Sequence, residues 1–135
     1  MRRFSVAAAL MLLSLQAASA DECLDKAKTQ TDINACADKS YKAADAELNK
    51  LYQQISQRLG DDTESKKRFV AAQRSWVAFR DAECRFATSR SEGGSIYPMV
   101  NAGCLGALTT KRVADFKQYL SCKEGDLGCP VPAGN

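Results

Sequence analysis

The stretch Trp76-Val77-Ala78-Phe79-Arg80-Asp81-Ala82-Glu83-Cys84-Arg85 holds the densest set of side chains able to do chemistry in this chain. Phe69, Ala72, Trp76, Phe79 and Phe86 recur at steps that predict one apolar helical stripe, and the same steps run through Glu83. A carboxylate is thereby placed on an apolar face. Arg80 follows Trp76 by four residues and precedes Glu83 by three, so its guanidinium is positioned to stack on the indole and to pair with the carboxylate. Either the stripe drifts and Glu83 ends in solvent, or the two form a structural pair between helices, or the pair is the floor of a contact surface where the helices diverge. Asp81 and Glu83 supply no acid and base couple, because residues two apart on a helix point in different directions. With no histidine in 135 residues, Ser-His-Asp and Cys-His catalytic sets, His-ligated metals and an imidazole switch are all excluded. These residues point to binding, not to catalysis.

The second candidate is the segment from Arg90 to Tyr97, rich in glycine and serine and flanked by Cys84 and Cys104. A bridge between those cysteines would brace it at both ends. It is then either an ordinary solvated connection or a rigid projection carrying Arg90, Ser91, Ser95 and Tyr97, and preorganisation lowers the entropy lost when such a loop enters a partner's cleft. Tyr and Arg are the residue types enriched at interface hot spots.

Six cysteines, Cys23, Cys36, Cys84, Cys104, Cys122 and Cys129, are separated by 13, 48, 20, 18 and 7 positions. No tight C-x2-C knuckle occurs, so disulfides are favoured over zinc. Fifteen pairings are open to six cysteines. The sequential set, Cys23 to Cys36, Cys84 to Cys104 and Cys122 to Cys129, is the expectation, because each bridge would staple segments that the helices bring together.

Those helices are legible from periodicity. A capped start at Thr31-Asp32 leads into Tyr41, Ala44, Leu48, Leu51 and Ile55 at steps of three and four, with Gly60 as the left-handed stop. The acidic turn from Asp61 to Thr63 supplies N-cap candidates for a second helix over about 63–87, and Asp61, three residues ahead of Glu64, has the spacing of a capping box. The connecting turn is short enough to force these two helices antiparallel. Tyr97-Pro98 suits a third helix start, and Val100, Leu105, Leu108, Val113, Phe116 and Leu120 give its apolar face. The expected fold is an all-α, disulfide-braced three-helix antiparallel bundle, with a short N-terminal helical turn over 21–30 and an irregular C-terminal tail.

Arg2-Arg3, an apolar run from Phe4 to Leu15 and Ala18-Ser19-Ala20 form the three parts of a secretory signal over 1–20, with Asp21 as the first mature residue. Removing it leaves 17 cations against 16 anions on 115 residues. An almost neutral surface without a basic stripe argues against nucleic acid, and no further stretch is long and apolar enough to span a membrane. Export also matches the cysteines, since disulfides persist outside the cytoplasm.

Cys23 and Cys36, the segment Trp76-x-x-Phe79-Arg80-Asp81-Ala82-Glu83-Cys84, Gly93-Gly94-Ser95, Pro98-Met99, Cys104-Leu105 and Leu108-Thr109-x-x-Arg112 occur in an order that resembles the LprI-like lysozyme inhibitor family, over about residues 23 to 120. The resemblance implies a small exported helical domain braced by disulfides. Many members have no assigned activity, and lysozyme inhibition is attributed to the founding one. That protein looks like a lipoprotein acylated at a cysteine, whereas this chain has Asp21 at the corresponding point. The domain expected here spans 21–121, followed by a disulfide-looped tail over 122–135. The leading functional expectation is a periplasmic or secreted protein that binds a protein partner, with no cofactor or metal and no enzymatic activity. Inhibition of a lysozyme would come from inserting the 90–97 loop, with Arg80 and Glu83 holding its base. The alternative is a periplasmic immunity or envelope-stress protein with no lysozyme partner.

Overall fold

In the computed structural model, residues 18–134 are described, and their regular structure is helical throughout: α1 (Ala18–Lys26), α2 (Gln30–Arg58), α3 (Thr63–Ala87) and α4 (Tyr97–Leu120), with a single 3-10 turn at Ser89–Ser91. Most of the expected signal segment, residues 1–17, lies outside the described residues. Its last three residues open α1. The N-terminal element is thus a nine-residue helix where a turn was expected.

α3 and α4 begin where expected, at Thr63 and Tyr97, and local hydrogen bonding sets the caps of α2 and α3. α2 is capped by Thr29, ahead of the expected Thr31. The Thr29 hydroxyl accepts from the Asp32 amide, and the Asp32 carboxylate accepts from the Thr29 amide at 2.9 Å, a reciprocal capping box. α3 is capped from within the expected turn by Asp62, whose carboxylate accepts from both the amide and the hydroxyl of Ser65, and the capping-box spacing of Asp61 with Glu64 is not used. Gly60, at φ 54°, makes the left-handed turn between α2 and α3.

The bundle is held most closely between α2 and α4, which are not neighbours in sequence. They run side by side in the same direction. Asn34 donates to the Ser95 carbonyl just ahead of α4, while Arg58, at the last turn of α2, donates to the Leu120 carbonyl at 2.6 Å. Midway, a Cβ added to Gly106 would lie 3.7 Å from the Tyr41 Cα, in ordinary contact, which marks how near the two backbones come. α3 runs antiparallel to both but stands further off. Tyr52 of α2 and Phe69, Trp76 and Arg80 of α3 pack between α3 and the other two helices.

The main core comprises Leu48, Leu51, Ile55, Leu59, Val113, Phe116 and Val131, with Tyr52, Phe69, Trp76, Tyr119 and Leu120 packed around it. Phe69 stacks on Tyr52 with ring centroids 4.8 Å apart and lies 5.4 Å from the Phe116 ring. Val131 belongs to the tail, which is irregular but docked on the core. Disulfides join Cys23 to Cys36, Cys84 to Cys104 and Cys122 to Cys129, with Cα separations of 5.8, 5.7 and 5.8 Å. They fasten α1 to α2, α3 to α4, and the tail onto itself beside the last turn of α4. Each contributes about 2 to 4 kcal/mol by limiting the unfolded chain.

Candidate functional site

The predicted stripe of α3 splits in the folded protein. Phe69 and Trp76 face inward, and the inward line continues through Arg80, Cys84 and Thr88, all three buried. Phe79 and Phe86 lie outside it, 54% and 78% exposed, and Glu83 between them is exposed as well. The Arg80 to Glu83 pair does not form. Buried and exposed positions separate at steps of four, so the stripe bends away from the phenylalanines that sequence spacing grouped with it.

Arg80, 7% exposed, is instead the centre of a cluster drawn from three helices. Its Nε lies 2.9 Å from Asp81 Oδ1, and its Nη1 lies 3.3 Å from Asp45 Oδ1 on α2 and donates to the Thr109 hydroxyl of α4 at 3.4 Å. The guanidinium also lies over the rings of Trp76 and Tyr41, at 5.2 and 5.6 Å from their centroids. Planarity explains the choice of arginine, since one flat cation offers an edge to carboxylates and faces to aromatic rings. Burial pushes the Tyr41 phenol above its ordinary pKa; Arg80 opposes the rise, while Asp45, Asp81 and Asp38 add to it. One turn further along α4, Arg112 lies over Trp76 and Phe116 and donates to Gln73 Oε1 at 3.2 Å. Trp76 is thus in contact with two arginines. This cluster fixes α3 against α2 and α4, and Arg80 is too enclosed to touch a partner.

Beyond the cluster, α3 ends in a loop built from its own hydrogen bonds. The Thr88 hydroxyl donates to the Cys84 carbonyl at 2.6 Å, and the Ser91 hydroxyl donates to the Thr88 carbonyl at 2.8 Å. The Gly94 amide donates to the Ser91 carbonyl and the Tyr97 amide to the Gly94 carbonyl, with Gly93 at φ 79° making the bend. Asn34 reaches across from α2 to the Ser95 carbonyl, and the Cys84 to Cys104 bridge closes the base. The loop is therefore braced from both sides. Of the residues expected in it, Arg90 and Ser95 are exposed, Ser91 is half-buried and committed to the turn, and Tyr97 is half-buried as the first residue of α4.

The direction of the helices brings more to this end. α2 begins here, α3 finishes here, α4 begins here, and α1 is bridged to α2 here. Leu24, Phe86 and Ile96, three of the five large apolar residues left exposed among the described residues, belong to these segments. Sequence spacing did not single out Leu24 or Ile96, and it placed Phe86 in the core. Among the described residues, no group of three or more Cys, Asp or Glu side chains is placed to hold a metal ion, and no helix is long and apolar enough to cross a membrane.

The domain is small, helical and disulfide-braced, with a stiffened loop and exposed apolar residues gathered at one end. The chain belongs to the family described as Lysozyme inhibitor LprI, whose model matches residues 21–116. It is also similar to the Uncharacterized protein R02472 of Rhizobium meliloti (strain 1021), at 41% identity over 110 residues, 73% of this chain and 79% of that protein. No solved structure matches.

Proposed function

We propose that this protein is an exported inhibitor that binds a lysozyme through the end of the bundle formed by the 88–96 loop. The family supports a lysozyme as partner, and three disulfides support residence in the periplasm or outside the cell. The observation that carries the choice of surface is the double bracing of the loop, by the Cys84 to Cys104 bridge and by the Asn34 bond to Ser95. Such a loop loses little freedom on binding.

Lysozyme cleavage relies on two carboxylates in a cleft, so an occupant of that cleft needs donors on a narrow projection. Arg90 and Ser95 are exposed and supply them. Phe86 and Ile96 would pack on the apolar rim, with Tyr97 beside them. Arg80 acts at one remove by holding α3, and Glu83, between Phe79 and Phe86, borders the contact. The binding role requires neither cofactor nor turnover.

Reversing the loop's charge tests the assignment. Arg90→Glu should weaken inhibition at least tenfold, the equivalent of about 1.4 kcal/mol, while leaving the helical circular dichroism unchanged. Equal inhibition by the variant and the parent would remove the loop from the interface.

A further inference from the structure

At the opposite end of the bundle, a cavity of about 370 Å³ opens between the end of α2, the start of α3 and the end of α4. We infer that it is a binding site for a single-chain anionic amphiphile, an alkyl chain ending in a carboxylate. Ile55, Leu59, Phe69 and Val131 supply apolar walls, and the polar residues beside them are Arg68, Arg112, Ser65 and Tyr119. No carboxylate lines the cavity. An apolar hollow edged only by cations and hydroxyls matches a ligand with one long apolar part and one negative end.

The two cations differ in what already holds them. Arg112 donates to Gln73, lies 3.6 Å from Asp115 Oδ2, and stacks on Trp76 and Phe116. Arg68 is exposed and has no carboxylate within 4.0 Å among the described residues. Asp62 is the acid whose charge senses it, but the Asp62 carboxylate is committed to Ser65 at the start of α3. Arg68 is therefore the cation left for the ligand's head group. The volume lies within the range of small-molecule sites.

One wall comes from outside the family match, which ends at residue 116. Pro130 and Val131 close the cavity from the tail, held there by the Cys122 to Cys129 bridge and by burial of Val131 in the core. The site is accordingly completed by this chain's C-terminal segment and is separate from the 88–96 loop.

Trp76, the single tryptophan, reports on the cavity through Arg112, which both lines it and stacks on the indole. The oxidised protein without residues 1–20 is titrated with dodecanoate below its micelle concentration, following tryptophan emission and thermal midpoint, beside dodecyltrimethylammonium and dodecyl maltoside. Saturable binding of dodecanoate, at least tenfold tighter than either control, is expected. Arg68→Gln should lower that affinity about tenfold, and Ala72→Phe, which fills the cavity mouth from an exposed helical position, should abolish binding with the fold intact. Equal response to all three amphiphiles, no response, or full binding by Ala72→Phe would overturn the assignment. So would a dimer of the parent protein that Ala72→Phe dissociates, since a second copy would then be the occupant.

Discussion

Arg80 shows how one side chain can decide the placement of a helix. It gives α3 an ionic contact to Asp45 on α2, a hydrogen bond to Thr109 on α4 and two aromatic faces to lie on. Asp45 and Asp81 keep substantial contact with water, so the ionic part is screened and the aromatic and packing parts weigh more. Arg80→Met should therefore cost about 2 kcal/mol in urea unfolding, from the stranded Thr109 hydroxyl and the lost stacking. Arg80→Lys should recover less than half of that, because an ammonium has no plane to stack. Sequence spacing identified Arg80 and its stacking on Trp76, but Tyr41, Asp45 and Thr109 lie 39, 35 and 29 residues away and become its neighbours only through the registers of α2 and α4. A second prediction belongs to the helix caps. The Asp62 carboxyl is held below its ordinary pKa, chiefly by the Ser65 amide, and Asp32 likewise, chiefly by the Thr29 hydroxyl. A lowered folded value means that the stabilisation is complete above the unfolded-state value of about 4 and is lost as the pH falls through the folded one. Unfolding midpoints should drop on that acid limb, and Asp62→Asn, which keeps an acceptor without the ionisation, should flatten it.

Among the elements, the α2 and α4 pair sets the frame on which α3 and the loop hang. Their close approach at Gly106 leaves room for a methyl group in ordinary contact with Tyr41, but not for a branched side chain. Gly106→Ala should raise stability by up to about 1 kcal/mol through helix propensity. Gly106→Leu should lower it by about 1 to 3 kcal/mol through overpacking, as read from thermal or urea midpoints. The elements themselves were legible in the sequence: α3 and α4 fall where periodicity put them, and Gly60 makes the expected turn. Their pairing was not. A short turn between α2 and α3 fixes direction but leaves the distance between their axes to side-chain size, and the bulky residues of α3 hold it away. The same geometry accounts for Glu83. A stripe counted in steps of three and four has two continuations after Trp76, through Phe79 or through Arg80, and only the position of α4 selects the second.

For the whole molecule, the disulfides divide the labour between two ends. Cys23 to Cys36 and Cys84 to Cys104 stiffen the end that presents Arg90, Ser95, Phe86 and Ile96, while Cys122 to Cys129 holds the tail over the core at the other. Family membership reaches only the first of these regions in full, since the match stops at residue 116. The loop could be named from sequence because glycines, serines and flanking cysteines are local signals. The exposed apolar residues around it could not, because Leu24, Phe86 and Ile96 come from three separate segments that the fold gathers at one end. The docking of Val131 was equally hidden, for a lone valine in a proline- and glycine-rich tail carries no periodicity. Binding of a lysozyme by the braced end is tested by the residual activity of c-, g- and i-type lysozymes with the purified oxidised protein at micromolar concentration. Dose-dependent loss of activity in at least one type, relieved by Arg90→Glu, is the predicted result, and unchanged activity of all three would contradict it.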